Sequence, residues 1–96
     1  MSFRFLAEAL SEFDNAANWY DQQRSGLGAE FVQAVDSAIQ RLVVEPETWP
    51  MLDDQFRRCP VDNFPYDIVF VPQNKDVLIF AIAHHHRKPD FWRGRK

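Results

Sequence analysis

A chain of 96 residues, 46% of them apolar and fourteen aromatic, carries material for one modest core, burying roughly 60–70% of the surface its unfolded form exposes. A single domain over residues 1–96 is the expectation, and six prolines, three glycines and 26% charged residues exclude a low-complexity or disordered chain. Net charge is −3, and the lone Cys59 excludes an intrachain disulfide, which favours a reducing, cytoplasmic setting.

The longest apolar run, Val77 to Ala83, falls far short of the roughly 20 residues that cross a bilayer. Glu8 stands where a signal peptide needs its apolar stretch. No membrane partner is expected. Charge is unevenly spread: residues 1–55 hold ten acids against three bases (−7), and residues 56–96 hold eight bases against four acids (+4). A surface that faces an anion therefore belongs to the second half.

In chain order, Phe3, Arg4 and Phe5 predict a short first strand. Leu6, Ala9, Leu10, Phe13, Ala16, Ala17 and Tyr20 then recur at helical spacing, and the helix is expected to stop near Ser25-Gly26. A second stripe of Phe31, Ala34, Val35, Ala38, Ile39 and Leu42 runs until Pro46 forbids continuation. The short link from Ser25 to Gly28 makes the two helices an antiparallel hairpin. Glu45 to Pro50 is a corner, because each proline removes a donor and restricts its predecessor.

Three strand candidates follow: Phe56 to Val61, Tyr66 to Val71 and Val77 to Ala83, the last two joined by a turn over Pro72 to Asp76. The last strand is apolar on both faces, which predicts a central place with cover on each side. Pro60 pushes its own strand to an edge. The order is β-α-α-β-β-β, an α+β fold with helices packed on the sheet, and the tail Gly94-Arg95-Lys96 is expected to fray.

Composition and spacing leave a few groups that can carry chemistry. His84, His85 and His86 invite a metal reading, but strand alternation sends His84 and His86 to one face and His85 to the other, while a zinc site needs ligands converging on one point. No metal is therefore assigned. A polar strand end bonded to backbone or water, and a general acid or base, both stay open. Arg57, Arg58 and Arg87 sit on or just after strands, where the pleat can present ordered guanidiniums to phosphate or carboxylate; a solvated face with ion pairs to the acidic helices is the plainer reading. Continued alternation would put Arg87 on the face of His85, Ala83 and Ala81. Phe91-Trp92, between Arg87-Lys88 and Arg93-Arg95, is the one place where aromatic and basic side chains interleave. Trp49-Pro50 and Phe64-Pro65-Tyr66 read as core plugs and turn anchors, and Cys59 reads as a small buried residue. No Gly-rich phosphate loop, nucleophile elbow or paired zinc motif occurs.

Several pieces in order carry a resemblance: Asn18-Trp19-Tyr20, Gly26-Leu27-Gly28 with Phe31, Pro46 with Trp49-Pro50, Arg57-Arg58, Phe64-Pro65-Tyr66, and Ala81 to His84 with Arg87, Pro89 and Trp92. Together they resemble the RelE/ParE toxin superfamily over almost the whole chain, and within it the ParE-like, or plasmid stabilisation, branch. The resemblance implies a helical hairpin packed on a small antiparallel sheet. It also implies a cognate antitoxin from the adjacent gene, wrapping the toxin in a hetero-oligomer, and no cofactor.

RelE-like members of the superfamily cleave messenger RNA in the ribosomal A site; ParE-like members poison DNA gyrase. RelE-like enzymes supply lysines near the strand after the hairpin, but here Asp53-Asp54-Gln55-Phe56 stands nearby, no lysine precedes Lys75, and Tyr66 is the last tyrosine. The net acidic balance also suits ribosome binding poorly. The resemblance thus implies a non-enzymatic inhibitor of gyrase, with Arg57, Arg58, His85, Arg87, Phe91, Trp92 and Arg93 as target contacts. The alternatives are a metal-independent endoribonuclease using Arg57, Arg58, His84 and Arg87, and a non-toxic antitoxin-binding module.

Overall fold

The computed structural model describes residues 2–95. Strand β1 (Ser2–Phe5) leads into helix α1 (Ala7–Gln23) and helix α2 (Leu27–Val44). One 3-10 turn (Pro46–Thr48) marks the corner before β2 (Arg57–Pro60), β3 (Tyr66–Gln73) and β4 (Asp76–His84). The sheet order is β1-β4-β3-β2. β2, β3 and β4 form an antiparallel meander, whereas β1 lies parallel to β4, pairing Ser2 with Asp76 through Phe5 with Ile79. The small antiparallel sheet expected from the resemblance is the β2-β3-β4 meander, and β1 adds to it in parallel: parallel neighbours need a long crossover, and here the helical hairpin lies on that crossover.

α1 buries Ala9 and Ala16, with Leu6, Phe13, Ala17 and Tyr20 packed beside them. Leu10 is exposed, because it stands about 100° round the helix from Ala9, at the margin of the stripe. α2 buries Phe31, Val35, Ala38, Ile39 and Leu42 against Cys59, Ile68, Phe70, Val77, Ile79 and Ile82 of the sheet. The hairpin is tight at Gly28, where a Cβ would stand 2.6 Å from the Ala17 carbonyl oxygen. Asp21 fixes the same corner: its Oδ1 accepts the Gly26 and Gly28 N–H groups at 2.9 and 3.2 Å, satisfying donors that the start of α2 would otherwise leave orphaned.

β4 is central and covered on both faces, but by different material. Val77, Ile79 and Ile82 face the helices; Leu78, Phe80, Ala81 and Ala83 face the other way. Two neighbours, Phe80 and Ala81, share the outer face because the register slips opposite Val69 and Phe70, so that Ala81 pairs Val69 and Ile79 pairs Phe70. Such a bulge resets the alternation. The outer face is closed by Phe56 and by Trp92 of the C-terminal segment, which supply the second cover that the apolar run of β4 predicts. The predicted fraying is corrected too: Arg95 is held by Glu12, and its side chain is 13% exposed. Lys96 lies outside the described residues. The β3–β4 turn is shorter than expected, since the ladder runs through Pro72 and Gln73 to Asp76 and leaves only Asn74 and Lys75 between the strands.

β1 stops at Phe5, and α1 runs on beside the edge of β4 that it leaves open. Side chains take over there: Glu12 Oε1 accepts the Ile82 N–H at 3.1 Å, and Arg95 donates to the Phe80 carbonyl at 3.1 Å. The edge strand hazard of unpaired backbone groups is met by a carboxylate and a guanidinium instead of a further strand.

Candidate functional site

The pleat of β2 separates the two arginines that the sequence places together. Arg57 turns toward the helix side and donates to the Trp49 carbonyl at 2.8 Å. Arg58 turns outward, opposite Val69 of the outer cluster, and its guanidinium lies 3.4 Å from Asp67 on β3. His85 Nε2 lies 3.3 Å from the other oxygen of the same carboxylate, at ion-pair distance although without hydrogen-bond geometry. An open cavity of about 330 Å³ runs between these side chains and the C-terminal segment, lined by Arg58, Asp67, His84, His85, Arg87, Lys88, Phe91 and Trp92.

β4 ends at His84, so the expected alternation through Arg87 is corrected. The Arg87 N–H returns to the His84 carbonyl at 3.0 Å, closing a turn. The turn brings Arg87 over the strand end to a point 3.6 Å from Glu12 of α1. Its guanidinium also stacks on Phe91, 4.0 Å from the ring centroid, a cation–π contact. Arg87 still borders the cavity that His85 lines.

His84 faces the helix side, edge-on to Tyr66 at 5.0 Å. Its Nδ1 accepts the His86 N–H at 3.0 Å, so a neutral ring carries its proton on Nε2. Burial, and then the neighbouring His86 and His85, lower its pKa below the usual histidine value. Burial likewise raises the Tyr66 phenol, assisted by Tyr20 and Glu12. Both shifts favour the uncharged side chain. Among the described residues, no group of three or more His, Cys, Asp or Glu side chains is placed to hold a metal ion.

The C-terminal residues divide. Trp92 is 6% exposed and packs on Phe56 with ring centroids 6.1 Å apart, a plug of the outer core. Arg93 is bound to Asp53 and, at 3.1 Å, to Asp90. Phe91 has the guanidiniums of Arg87 and Arg95 at 4.0 and 5.1 Å from its ring centroid. Of the residues singled out in the sequence, the fold thus gathers Arg58, His84, His85, Arg87, Phe91 and Trp92 at one cavity, sets Arg57 on the opposite face, and engages Arg93 in ion pairs.

Three carboxylates that organise this end were not singled out from the sequence. Glu12 holds Arg95 at 2.6 Å, stands near Arg87 and caps Ile82; the available signal was an acid three residues after Ala9 and four before Ala16, beside the buried stripe. Asp67 shares a strand face with Val69 and Val71, an acid on an otherwise apolar side. Asp53 accepts the Gln55 and Phe56 N–H groups at 2.8 Å each. Those two backbone bonds, and then Arg93, lower its pKa to about 2.

Known proteins align with this arrangement. A solved structure described as the chromosomal ParDE TA system from P. aeruginosa superposes with a TM-score of 0.76 at 17% sequence identity, over 88% of this chain and 95% of that one. It bears on the fold. A search of curated proteins returns no match. The profile of the family described as the ParE toxin of the type II toxin-antitoxin system, parDE, matches residues 3–89. That span takes in both helices, all of the sheet except Ser2, and the turn bearing Arg87, so the chain belongs to the ParE toxin family of type II toxin–antitoxin systems.

Proposed function

We propose that this toxin arrests growth by protein contact with DNA gyrase, through the surface around Arg58, His85, Arg87 and Phe91, and that an antitoxin encoded beside it neutralises it. One observation carries the choice of a protein target. Every arginine at this end sits near a carboxylate: Arg58 by Asp67, Arg87 and Arg95 by Glu12, Arg93 by Asp53 and Asp90. A polyanion is bound through unneutralised cations, whereas mixed charge around a half-buried aromatic side chain suits a protein partner.

A second reading has its own support. His85 beside Asp67, with Arg58 next to them in an open cavity, is a pairing that general acid–base cleavage of RNA can use, with the arginine stabilising phosphate charge.

Inducible expression in a bacterial host, with and without the neighbouring gene, tests the proposal. Growth arrest with altered plasmid supercoiling, relieved by the neighbour, is the expected result. Cuts at codon positions in translated messages would transfer the function to the endoribonuclease reading, and absence of arrest would leave an antitoxin-binding module.

A further inference from the structure

The candidate cavity does not end at the sheet's outer face. Two smaller hollows lie between α1 and the end of β4. The first, about 270 Å³, is walled by Trp19, Tyr20, Tyr66 and His84. The second, about 280 Å³, is bordered by Trp19, Tyr66 and His84 again, with Glu12 and Arg87. His84 and Arg87 also line the outer cavity. The outer cavity and the two hollows adjoin at His84 and Arg87, and as neighbours they mark a groove along the surface from Trp19, past the turn after β4, to Arg58.

Its two ends differ chemically. The Trp19 end is aromatic, and its indole is 56% exposed while held edge-on to Tyr20, which in turn packs on Phe31, Phe64 and Tyr66. An exposed tryptophan on a rigid aromatic base is the kind of side chain that dominates protein interfaces. At the other end stand Arg58, Arg87 and Lys88. The ion pairs of the two arginines are long, 3.4 and 3.6 Å, with side chains 47% and 53% exposed. Arg87 can leave without stranding a charge, because Glu12 keeps Arg95 at 2.6 Å; Arg58 leaves Asp67 with His85 alone, 3.3 Å away and without hydrogen-bond geometry. Arg87 is therefore the readier of the two to exchange partners, and Arg95 is held.

We propose that this groove seats an extended segment of the antitoxin, with one aromatic or large aliphatic side chain against Trp19 and its carboxylates confined to the far end, on Arg87 and Arg58. The inference rests on the antitoxin reading given above and adds where and by what chemistry the partner is held. A protein fits better than a nucleic acid, because α1 from Ala7 to Gln23 carries Glu8, Glu12, Asp14 and Asp21 with no lysine or arginine, and Glu12 borders the middle of the groove. A strand with a phosphate at every nucleotide would run along that acidic wall. Occupation of the arginine end also covers the proposed target surface, so neutralisation follows from direct competition.

The test is calorimetric titration of the purified toxin with the purified product of the adjacent gene. Trp19→Ala and Arg87→Ala are each expected to weaken binding by about tenfold or more, with Trp19→Phe restoring most of the loss. Arg24→Ala, in an exposed pair with Glu30, is expected to bind like the parent chain. Melting curves check that each variant folds. Binding of Trp19→Ala at parental strength overturns the groove and leaves the antitoxin reading standing. Failure of the parent chain to bind the neighbour's product overturns both. Binding of a short single-stranded RNA, lost in Trp19→Ala, overturns the protein occupant in favour of a nucleic acid.

Discussion

On the helix side of the sheet, Phe31, Val35, Ala38, Ile39 and Leu42 of α2 meet Ile68, Phe70, Val77 and Ile79 over a continuous apolar layer. On the outer side, two aromatic residues of an irregular segment, Phe91 and Trp92, join Phe56 over Val69, Leu78, Phe80 and Ala81. That segment is tied down by polar links at its far end, Arg93 to Asp53 and Arg95 to Glu12. Apolar burial is roughly proportional to area, so the first face resists opening through many side chains at once. The second depends on a few, each of which can be removed singly. The expectation is that the outer face, which carries the proposed functional surface, yields first, as sites of recognition commonly do.

Substitutions can break this contrast in graded steps. Phe31 is fully buried and touches both helices' aromatic network, so Phe31→Ala is expected to cost about 3–5 kcal/mol in denaturant unfolding, near the whole stability of a small chain. Gly28→Ala forces a Cβ against the Ala17 carbonyl; about 1–3 kcal/mol of destabilisation is expected, read as a lowered Tm. Glu12→Gln removes the charge shared by Arg95 and Arg87. Because that pair is only partly buried, about 1–2 kcal/mol is expected, with faster amide exchange confined to residues 80–95 and the α2 amides unchanged. Uniform acceleration across both helices would show that the two faces open together.

Asp53 gives a pH handle on the outer face alone. Its pKa lies at about 2 in the fold against an unfolded value of about 4. Its contribution is complete above the higher value and disappears as pH falls through the lower one. Acid titration from pH 5 is therefore expected to loosen residues 53–56 and Arg93 between these limits, and Asp53→Asn to abolish that step. At the small end, Arg24→Ala breaks an exposed pair with Glu30, and a change below about 1 kcal/mol is expected.

The contrast also explains what the sequence reveals. Helical periodicity and apolar runs are local properties, so α1 and β4 are legible to within a residue or two and α2 in all but its first turn, which the sequence pattern gives to the link, and Pro60 on an edge strand follows from the missing donor. The direction of β1 is not, because parallel and antiparallel partners can present the same side chains. The bulge at Phe80 is equally hidden, since an unbroken apolar run carries no mark of where alternation slips. Half of the candidate site is legible by composition: Arg58, His85, Arg87 and Phe91 stand out as cations and an aromatic side chain in a short stretch. Their carboxylate partners are not, because Glu12 lies 75 residues before Arg87 in the chain and only the crossover of the hairpin brings them together. Trp92 reads as a contact residue beside arginines and is placed by the fold in the core.

The most direct test of the central claim is the supercoiling activity of purified DNA gyrase with the purified toxin added, alone and with the product of the adjacent gene. The account predicts inhibition by the toxin, its relief by the neighbour's product, and its loss in a folded Arg58→Ala, Arg87→Ala double variant. Undiminished gyrase activity at toxin concentrations that arrest growth would contradict it.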